Sequence, residues 1–122
     1  MAPNCPPEYP ADCLLVYVTV PDMAVARAFS ETLVRERLAA CANILNGATS
    51  VYWWRDELET ATEAVCLFKT TRERFPAFME RAKALHPYEV PCIAAWPLER
   101  GNAEFLGWIR AETALPDPAA TV

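Results

Sequence analysis

The sequence has no cluster of basic residues and no long apolar segment. Its 122 residues carry a formal net charge of -5, and Lys and Arg form no run. Phosphate backbones are bound by clustered basic side chains, so we expect no nucleic-acid partner. No apolar stretch approaches the roughly 20 residues that a membrane-spanning helix needs, so we expect no membrane partner. The N-terminus lacks the basic start and apolar core of a secretory signal.

Residues that form common catalytic and phosphate-binding motifs are equally scarce. The chain has a single histidine, His86, and no Gly-flanked nucleophile, so a Ser-His-Asp hydrolase is not expected. The glycines Gly47, Gly101 and Gly107 form no phosphate-binding loop. We therefore predict a protein that is not an enzyme and that uses no organic cofactor.

Five cysteines are present, but they lie far apart and no pair has C-x-x-C spacing. A zinc knuckle or a thioredoxin-like site is therefore not expected. Several of the cysteines lie inside apolar runs, as in Cys66-Leu67-Phe68, where a free thiol behaves as a small hydrophobe. This pattern is typical of a reducing compartment, and we predict a cytoplasmic protein.

Hydrophobic residues make up 53% of the chain, which is enough for one domain whose core needs no disulfide or metal. Proline residues recur at both ends of the sequence. We therefore expect flexible tails over residues 1–11 and 114–122, and one domain over residues 12–113.

Apolar periodicity predicts four strands and three helices. Apolar runs indicate the strands, which we place at 13–20, 42–54, 58–71 and 91–97. Helical spacing indicates the helices, which we expect to follow the caps Asp22, Thr70 or Thr71, and Asn102. The first helix extends to about Leu38, and Pro87 ends the second. The order is a split βαβ arrangement with an added C-terminal helix, an α+β fold with helices on one face of an antiparallel sheet.

The second predicted strand contains Asn46-Gly47, which leaves two interpretations open. Asn-Gly is a strong hairpin signal. The preceding apolar piece, Ile44-Leu45, is short, so a bulge within one long strand fits equally well.

The segment Val51-Tyr52-Trp53-Trp54 ends the same strand and places large side chains on both of its faces. Helices cover only one face of the predicted sheet. The second face needs another cover, most simply a second copy of the chain, so we expect self-association. The alternative is an aromatic cluster beneath a local loop or tail.

Five short motifs follow one another between residues 13 and 110. They are VTVPD at 18–22, LAACAN at 38–43, YWW at 52–54, FKTT at 68–71 and HPYEVP at 86–91. In order and spacing they resemble the CutA family. The resemblance implies a ferredoxin-like fold, a homotrimer built by sheet-to-sheet pairing, and a bent strand at Asn46-Gly47. It also implies tolerance of divalent cations, especially copper, a shape like that of PII-type signalling proteins, and no well-established catalytic reaction.

The candidate metal ligands are His86, Cys92 and Glu89. Imidazole suits copper, although a histidine at a helix C-terminus also interacts favourably with the helix dipole. Cys92 stands where the family usually has Glu; its thiolate favours Cu(I), and its alternative role is that of a buried strand residue. Val18 and Leu85 are apolar where some relatives carry Cys and His. The resemblance therefore implies only weak metal binding.

Lys69, Glu63, Tyr88 and Trp54 match polar and aromatic positions that the family places around clefts between subunits. Such a concave site suits a small anion or a metabolite. The alternative is an ion-pair and hydrogen-bond network at the trimer seam. Cys41 matches the family's cysteine after the first helix, where it is either a redox-sensitive thiol or a packing residue.

Three functions follow from these residues and from the resemblance. The main expectation is a divalent-cation tolerance protein that responds to metal ions and binds copper or another divalent cation weakly as a homotrimer. The second is a PII-like small-molecule sensor or protein-interaction scaffold that uses the clefts between subunits. The third is a very stable trimer whose motifs mainly build the seam.

Overall fold

Four strands and three helices build the structure, a computed structural model that describes residues 12–115. The strands are β1 (Cys13–Val20), β2 (Cys41–Trp54), β3 (Glu57–Thr71) and β4 (Ile93–Pro97). The helices are α1 (Met23–Arg35), α2 (Phe75–Leu85) and α3 (Ala103–Glu112). Their order and the antiparallel sheet confirm the predicted α+β fold. The tails predicted at 1–11 and 114–122 lie, apart from residues 114 and 115, outside the described residues.

β1 occupies the interior of the sheet, whose strand order is β2-β3-β1-β4. Successive side chains of a strand point to opposite faces of the sheet. Val16 and Val18 lie on the face that α1 and α2 cover, where both are fully buried. Leu15 and Tyr17 lie on the opposite face and are only half-buried.

Cys13 and Thr19 share this opposite face and are buried, so the prediction of a strand buried on both faces is confirmed in part. The prediction of helices on one face only is wrong, because α3 packs against Cys13. α3 packs at the Cys13 end of that opposite face and leaves Leu15 and Tyr17 half-buried.

The main core lies between the sheet and the first two helices. Phe29 of α1 and Phe78 of α2 meet Phe68 of β3 edge-on, with ring centroids 5.9 and 5.0 Å from the Phe68 ring. Burial of a side chain of this size contributes roughly 1.5–3 kcal/mol. These contacts fix α2 on the sheet, and thereby fix the segment that follows α2.

α1 begins as predicted and ends earlier than predicted. The Asp22 carboxylate accepts a hydrogen bond from the Val25 amide, which confirms the predicted cap. Arg37 has a φ of 64°, and its N–H donates to Val34, while the Leu38 N–H donates to the Leu33 carbonyl. This is a Schellman motif, which ends the helix at Arg35 instead of Leu38.

The threonines expected to cap α2 make other contacts. The Thr70 hydroxyl donates to the Leu38 carbonyl, and the Thr71 hydroxyl accepts from the Arg74 amide in the turn before the helix. α2 starts at Phe75 without a side-chain cap, so the predicted cap is wrong. In α3 the predicted cap is confirmed, because the Asn102 side chain accepts from the amide of Glu104.

β2 is one long strand with a bulge, so the hairpin interpretation of Asn46-Gly47 is wrong. The register with β3 shifts between Leu45 and Ala48, and Gly47 has a φ of 80°, which glycine adopts without strain. The hairpin turn lies instead at Arg55-Asp56. Both of these residues have positive φ, as a two-residue type I′ turn requires.

Beyond the bulge, β2 and β3 form a projecting two-stranded ribbon, defined as residues 48–54 and 57–63. β3 pairs with β1 only over residues 64–71, so the ribbon strands pair with each other alone. Large side chains are exposed on both of its faces: Trp53 is 73% exposed on one and Tyr52 is 42% exposed on the other. The sequence predicted one covered face, yet α1 and α2 cover neither face here.

Candidate functional site

A cleft of about 690 Å³ opens beside the ribbon. Its walls are the ribbon face that carries Tyr52 and Trp54, the uncovered sheet face at Tyr17, and residues 87–92. That last segment leaves α2 at Pro87, because proline does not continue the preceding helix. Three separate parts of the chain therefore meet at one concave surface.

His86 fastens the segment 87–92 to the sheet. It is buried, and its Nε2 lies 2.8 Å from the Thr19 carbonyl oxygen, while its Nδ1 accepts from the Tyr88 amide at 3.1 Å. A carbonyl only accepts and an amide N–H only donates, so the ring is neutral with its proton on Nε2. The ring also meets Phe29 edge-on, with centroids 5.5 Å apart. Both nitrogens are thus used in holding the fold, and neither presents a free lone pair to a metal ion.

Tyr88 and Glu63 connect the segment 87–92 to the ribbon. The Tyr88 hydroxyl donates to Glu63 Oε2 at 2.7 Å, and Glu63 is only 7% exposed. Burial, and then the Glu63 carboxylate, raises the pKa of Tyr88. The phenol therefore keeps its proton at neutral pH and remains the donor in this bond.

Glu89, Arg55 and Trp54 stand together at the edge of the cleft. Arg55 Nη2 lies 2.7 Å from Glu89 Oε1, and the same guanidinium lies 5.0 Å from the Trp54 ring centroid. Both charged side chains are more than two-thirds exposed, so the pair contributes little to stability. The pair places the Arg55 guanidinium between the Trp54 ring and the Glu89 carboxylate, so this edge of the cleft holds a cation next to an aromatic ring.

Cys92 lines the cleft as a free and exposed thiol just before β4, so its interpretation as a buried strand cysteine is wrong. Of the three predicted metal ligands, Cys92 and Glu89 reach the cleft surface, whereas His86 is turned to the backbone. Within residues 12–115, no group of three or more His, Cys, Asp or Glu side chains is placed to hold a metal ion.

Lys69 and Cys41 lie away from the cleft. They face each other across β2 and β3, where the Lys69 ammonium donates to the Asn43 side-chain oxygen. Burial raises the pKa of the half-buried Cys41 thiol, against the influence of Lys69. Among the described residues, the lining of this single-chain cleft includes Glu63 and Glu89 and no lysine or arginine. The small-anion or metabolite site that the resemblance implies between subunits stays a prediction.

Sequence reasoning missed seven residues that complete the walls of the cleft. They are Tyr17, Thr19, Ser50, Val51, Tyr52, Pro87 and Val90. The alternation within β1 was the available signal, because the buried valines of one face require that Tyr17 and Thr19 face the other. The described residues also contain no helix with the length and apolarity to cross a bilayer.

Known proteins match nearly the whole of the described chain. The family described as "CutA1 divalent ion tolerance protein" matches residues 14–112. "Divalent-cation tolerance protein CutA" of Thermus thermophilus is 50% identical over 99 residues, which cover 81% of this chain and 96% of the relative.

Solved structures show the same correspondence. "Divalent cation tolerance protein (Cut A1)" from Thermus thermophilus has a TM-score of 0.81 at 49% identity, covering 84% of this chain and 99% of that chain. The "Periplasmic divalent cation tolerance protein CutA" of Archaeoglobus fulgidus has a TM-score of 0.80 at 39% identity, covering 83% and 98% of the two chains.

Proposed function

This chain belongs to the CutA1 divalent ion tolerance protein family, and from that premise we propose that it is a non-enzymatic, cytoplasmic homotrimer that takes part in the response to divalent metal ions. It binds copper or another divalent cation weakly. The family match over residues 14–112 is the observation that carries this proposal.

The donors that one chain offers fit weak metal binding. Cys92 supplies an exposed thiol and Glu89 an exposed carboxylate on the same cleft. Thiolate favours soft ions such as Cu(I), and carboxylate suits harder divalent ions. His86 is the expected third ligand, but its nitrogens are bonded to the backbone at Thr19 and Tyr88. We assign His86 to the fold and the weak metal site to Cys92 and Glu89.

The proposed trimer is supported by the surfaces that a single chain leaves uncovered. The ribbon exposes Val51, Tyr52, Trp53 and Trp54, and the open face of the sheet exposes Trp96. Large exposed apolar residues grouped in this way mark interaction sites. β2 and β4 are also the edge strands of the sheet, and unpaired edges are ready partners for strands of another copy.

The proposed cytoplasmic location is supported by the thiols. Four of the described cysteines are free, including the exposed Cys92 and the half-buried Cys41. A reducing compartment preserves such thiols. A membrane-impermeant thiol reagent applied to whole cells tests the location: it leaves Cys92 unlabelled if the protein is cytoplasmic, and labels it if the protein lies outside the inner membrane.

An anaerobic copper titration of the intact protein, in both oxidation states, tests the metal role. Cys92→Ser removes the proposed soft donor, and Cys41→Ser removes a thiol outside the cleft as the matched control. We expect saturable binding that is lost in Cys92→Ser and retained in Cys41→Ser. Equal affinity in the two variants would contradict the assignment of Cys92.

A second candidate function is small-molecule sensing in the manner of PII-type proteins. The volume of about 690 Å³ favours it, because ligand sites typically occupy roughly 300–1,000 Å³. A ligand that binds only the folded protein raises its melting temperature. A thermal-shift screen of charged metabolites, repeated with Tyr88→Phe, therefore tests this candidate, and the absence of any shift that Tyr88→Phe diminishes would count against it.

A further inference from the structure

The bulge of β2 places Asn46 and Gly47 in an exposed position without partner residues. The pairing of β2 with β3 runs as far as Leu45 and resumes at Ala48, so neither intervening residue has a partner in β3. A bulge leaves its extra residue outside the ladder of hydrogen bonds. β2 is also an edge strand, so within residues 12–115 no further strand lies on its outer side. The main chain at Asn46-Gly47 is therefore less restrained than the paired parts of β2.

Gly47 leaves the main-chain nitrogen that follows Asn46 unhindered. It has no Cβ, and its φ of 80° lies in a region that glycine adopts without strain. An added Cβ on Gly47 would have no atom of residues 12–115 within 4 Å, its chain neighbours apart. An asparagine side chain is short enough to reach the adjoining main chain. The side-chain carbonyl carbon of Asn46 is thus accessible to the Gly47 nitrogen.

The other asparagines of the described range are held by hydrogen bonds. The Asn43 side-chain oxygen accepts from the Lys69 ammonium, and the next residue in the chain is β-branched. The Asn102 side-chain oxygen accepts from the Glu104 amide, as the cap of α3. The Asn46 side chain makes no hydrogen bond to another residue of the range 12–115. Asn46 alone among these three combines a free side chain with a following glycine.

We propose that Asn46 is a modification site, at which attack by the Gly47 nitrogen deamidates the side chain without an enzyme. The Gly47 nitrogen loses its proton and bonds to Asn46 Cγ, while the bond from Cγ to Nδ2 breaks. Ammonia leaves with that proton, and a succinimide ring remains. Water then opens the ring. Cleavage of the bond between the nitrogen and Cγ gives aspartate, and cleavage of the bond to the main-chain carbonyl carbon gives isoaspartate.

The modification alters the base of the ribbon, which begins at Ala48. Either product adds one negative charge to a chain whose formal net charge is -5. Isoaspartate also lengthens the main chain, because the chain then runs through the side-chain carbon Cγ. The added length lies between the two parts of β2 that pair with β3, so the register of the ribbon has to adjust. Isoaspartate is in addition a substrate for isoaspartyl carboxyl methyltransferases, which use S-adenosylmethionine as the methyl donor.

Timed incubation of the intact, assembled protein in mildly alkaline buffer, followed by peptide mass spectrometry, tests the proposal. Fragmentation of the peptide that holds both Asn43 and Asn46 assigns the mass gained when the amino group is replaced by a hydroxyl. We expect this gain at Asn46 at a rate at least about tenfold that at Asn43 or Asn102. The rate should be lower in mildly acidic buffer, because the Gly47 nitrogen has to lose its proton. Equal rates at the three asparagines would overturn the proposal.

Two variants assign the acidic form that isoelectric focusing of the incubated protein detects. Asn46→Gln keeps a neutral amide at an exposed position, but its longer side chain would have to close a larger and less favourable ring. Asn102→Ser is the matched control, because it removes an asparagine and serine retains the helix cap. We expect the acidic form, and its methylation by an isoaspartyl methyltransferase, to be lost in Asn46→Gln and retained in Asn102→Ser. An acidic form that accumulates equally in Asn46→Gln and the parent would contradict the assignment.

Comparison of the assembled protein with the urea-unfolded chain completes the test. A strand of another copy paired with β2 at Asn46-Gly47 would hold this main chain and prevent the attack. If Asn46 is modified in the unfolded chain and stays intact in the assembled protein over the same period, the proposal is wrong. Neither result bears on the metal role or on the cleft, because Asn46 and Gly47 do not line the cleft.

Discussion

Replacing His86 with alanine should destabilise the protein strongly, even when no metal is present. The substitution removes the partners of the Thr19 carbonyl and the Tyr88 amide. A buried backbone group left without a partner costs about 1–3 kcal/mol. The lost edge-on contact with Phe29 costs about 0.5–1.5 kcal/mol more. Since Tyr88 is half-buried and water reaches part of that site, we expect a loss of about 3 kcal/mol in the free energy of unfolding.

Urea unfolding at one fixed protein concentration, in the presence of a chelator, measures this loss. Cys92→Ala is the matched control, because Cys92 is exposed and surface substitutions usually change stability by less than about 0.5 kcal/mol. A His86→Ala protein less than about 1 kcal/mol below its parent would refute the structural role assigned to this ring. If His86→Ala lowers metal affinity and leaves stability unchanged, His86 is a metal ligand.

Three further predictions concern other parts of the fold. Phe68→Ala should cost about 4 kcal/mol in urea unfolding, because the ring is fully buried between two other rings; a loss below about 2 kcal/mol would contradict that packing. Asp56→Gly should raise stability by about 0.5 kcal/mol, because Asp56 has a φ of 68°; a lower melting temperature would argue against the turn. The hydrogen bond from Arg110 lowers the pKa of Asp12 below its ordinary 3.8. The stabilisation by this carboxylate is therefore present above pH 3.8 and lost as the pH falls through the lower, folded-state pKa. The Asp12 and Arg110 side chains are about half exposed, so Asp12→Asn should lower the free energy of unfolding by less than about 1 kcal/mol at about pH 6. The substitution should have no effect at a pH below both the folded-state and the unfolded-state pKa of Asp12. A destabilisation that persists in strong acid would contradict this pH dependence.

The order of strands and helices was predictable because apolar periodicity records burial directly. The early end of α1 was not predictable. The residue with left-handed backbone geometry that follows the helix is Arg37, whereas glycine usually occupies this position and marks the end of a helix in the sequence. The misassigned cap of α2 has a similar cause. The Thr70 hydroxyl bonds to Leu38, 32 residues away, and a local motif does not reveal a partner so distant in sequence.

Several residues of the candidate site were predictable from the sequence, but the charge of the cleft lining and the hydrogen bonds of His86 were not. Trp54, Glu63 and Tyr88 were predicted from the family resemblance, and the structure brings them to one cleft. Lys69 shares a sheet face with Glu63, but six residues along a strand separate side chains by about 20 Å. That distance keeps the basic residue out of the single-chain cleft, whose charged lining residues are the acidic Glu63 and Glu89. The bonding of His86 to two backbone groups was likewise invisible without the fold.

Light scattering of the purified protein in dilute solution tests the proposed assembly most directly. We expect a mass three times the 13.6 kDa of one chain, and a shift toward the single-chain mass in Trp53→Asp, which places a charge on the exposed ribbon. Glu99→Gln is the control and should keep the parent mass. A parent protein that remains at 13.6 kDa would contradict the account, because the ribbon and the open face of the sheet would then be stable without a second copy.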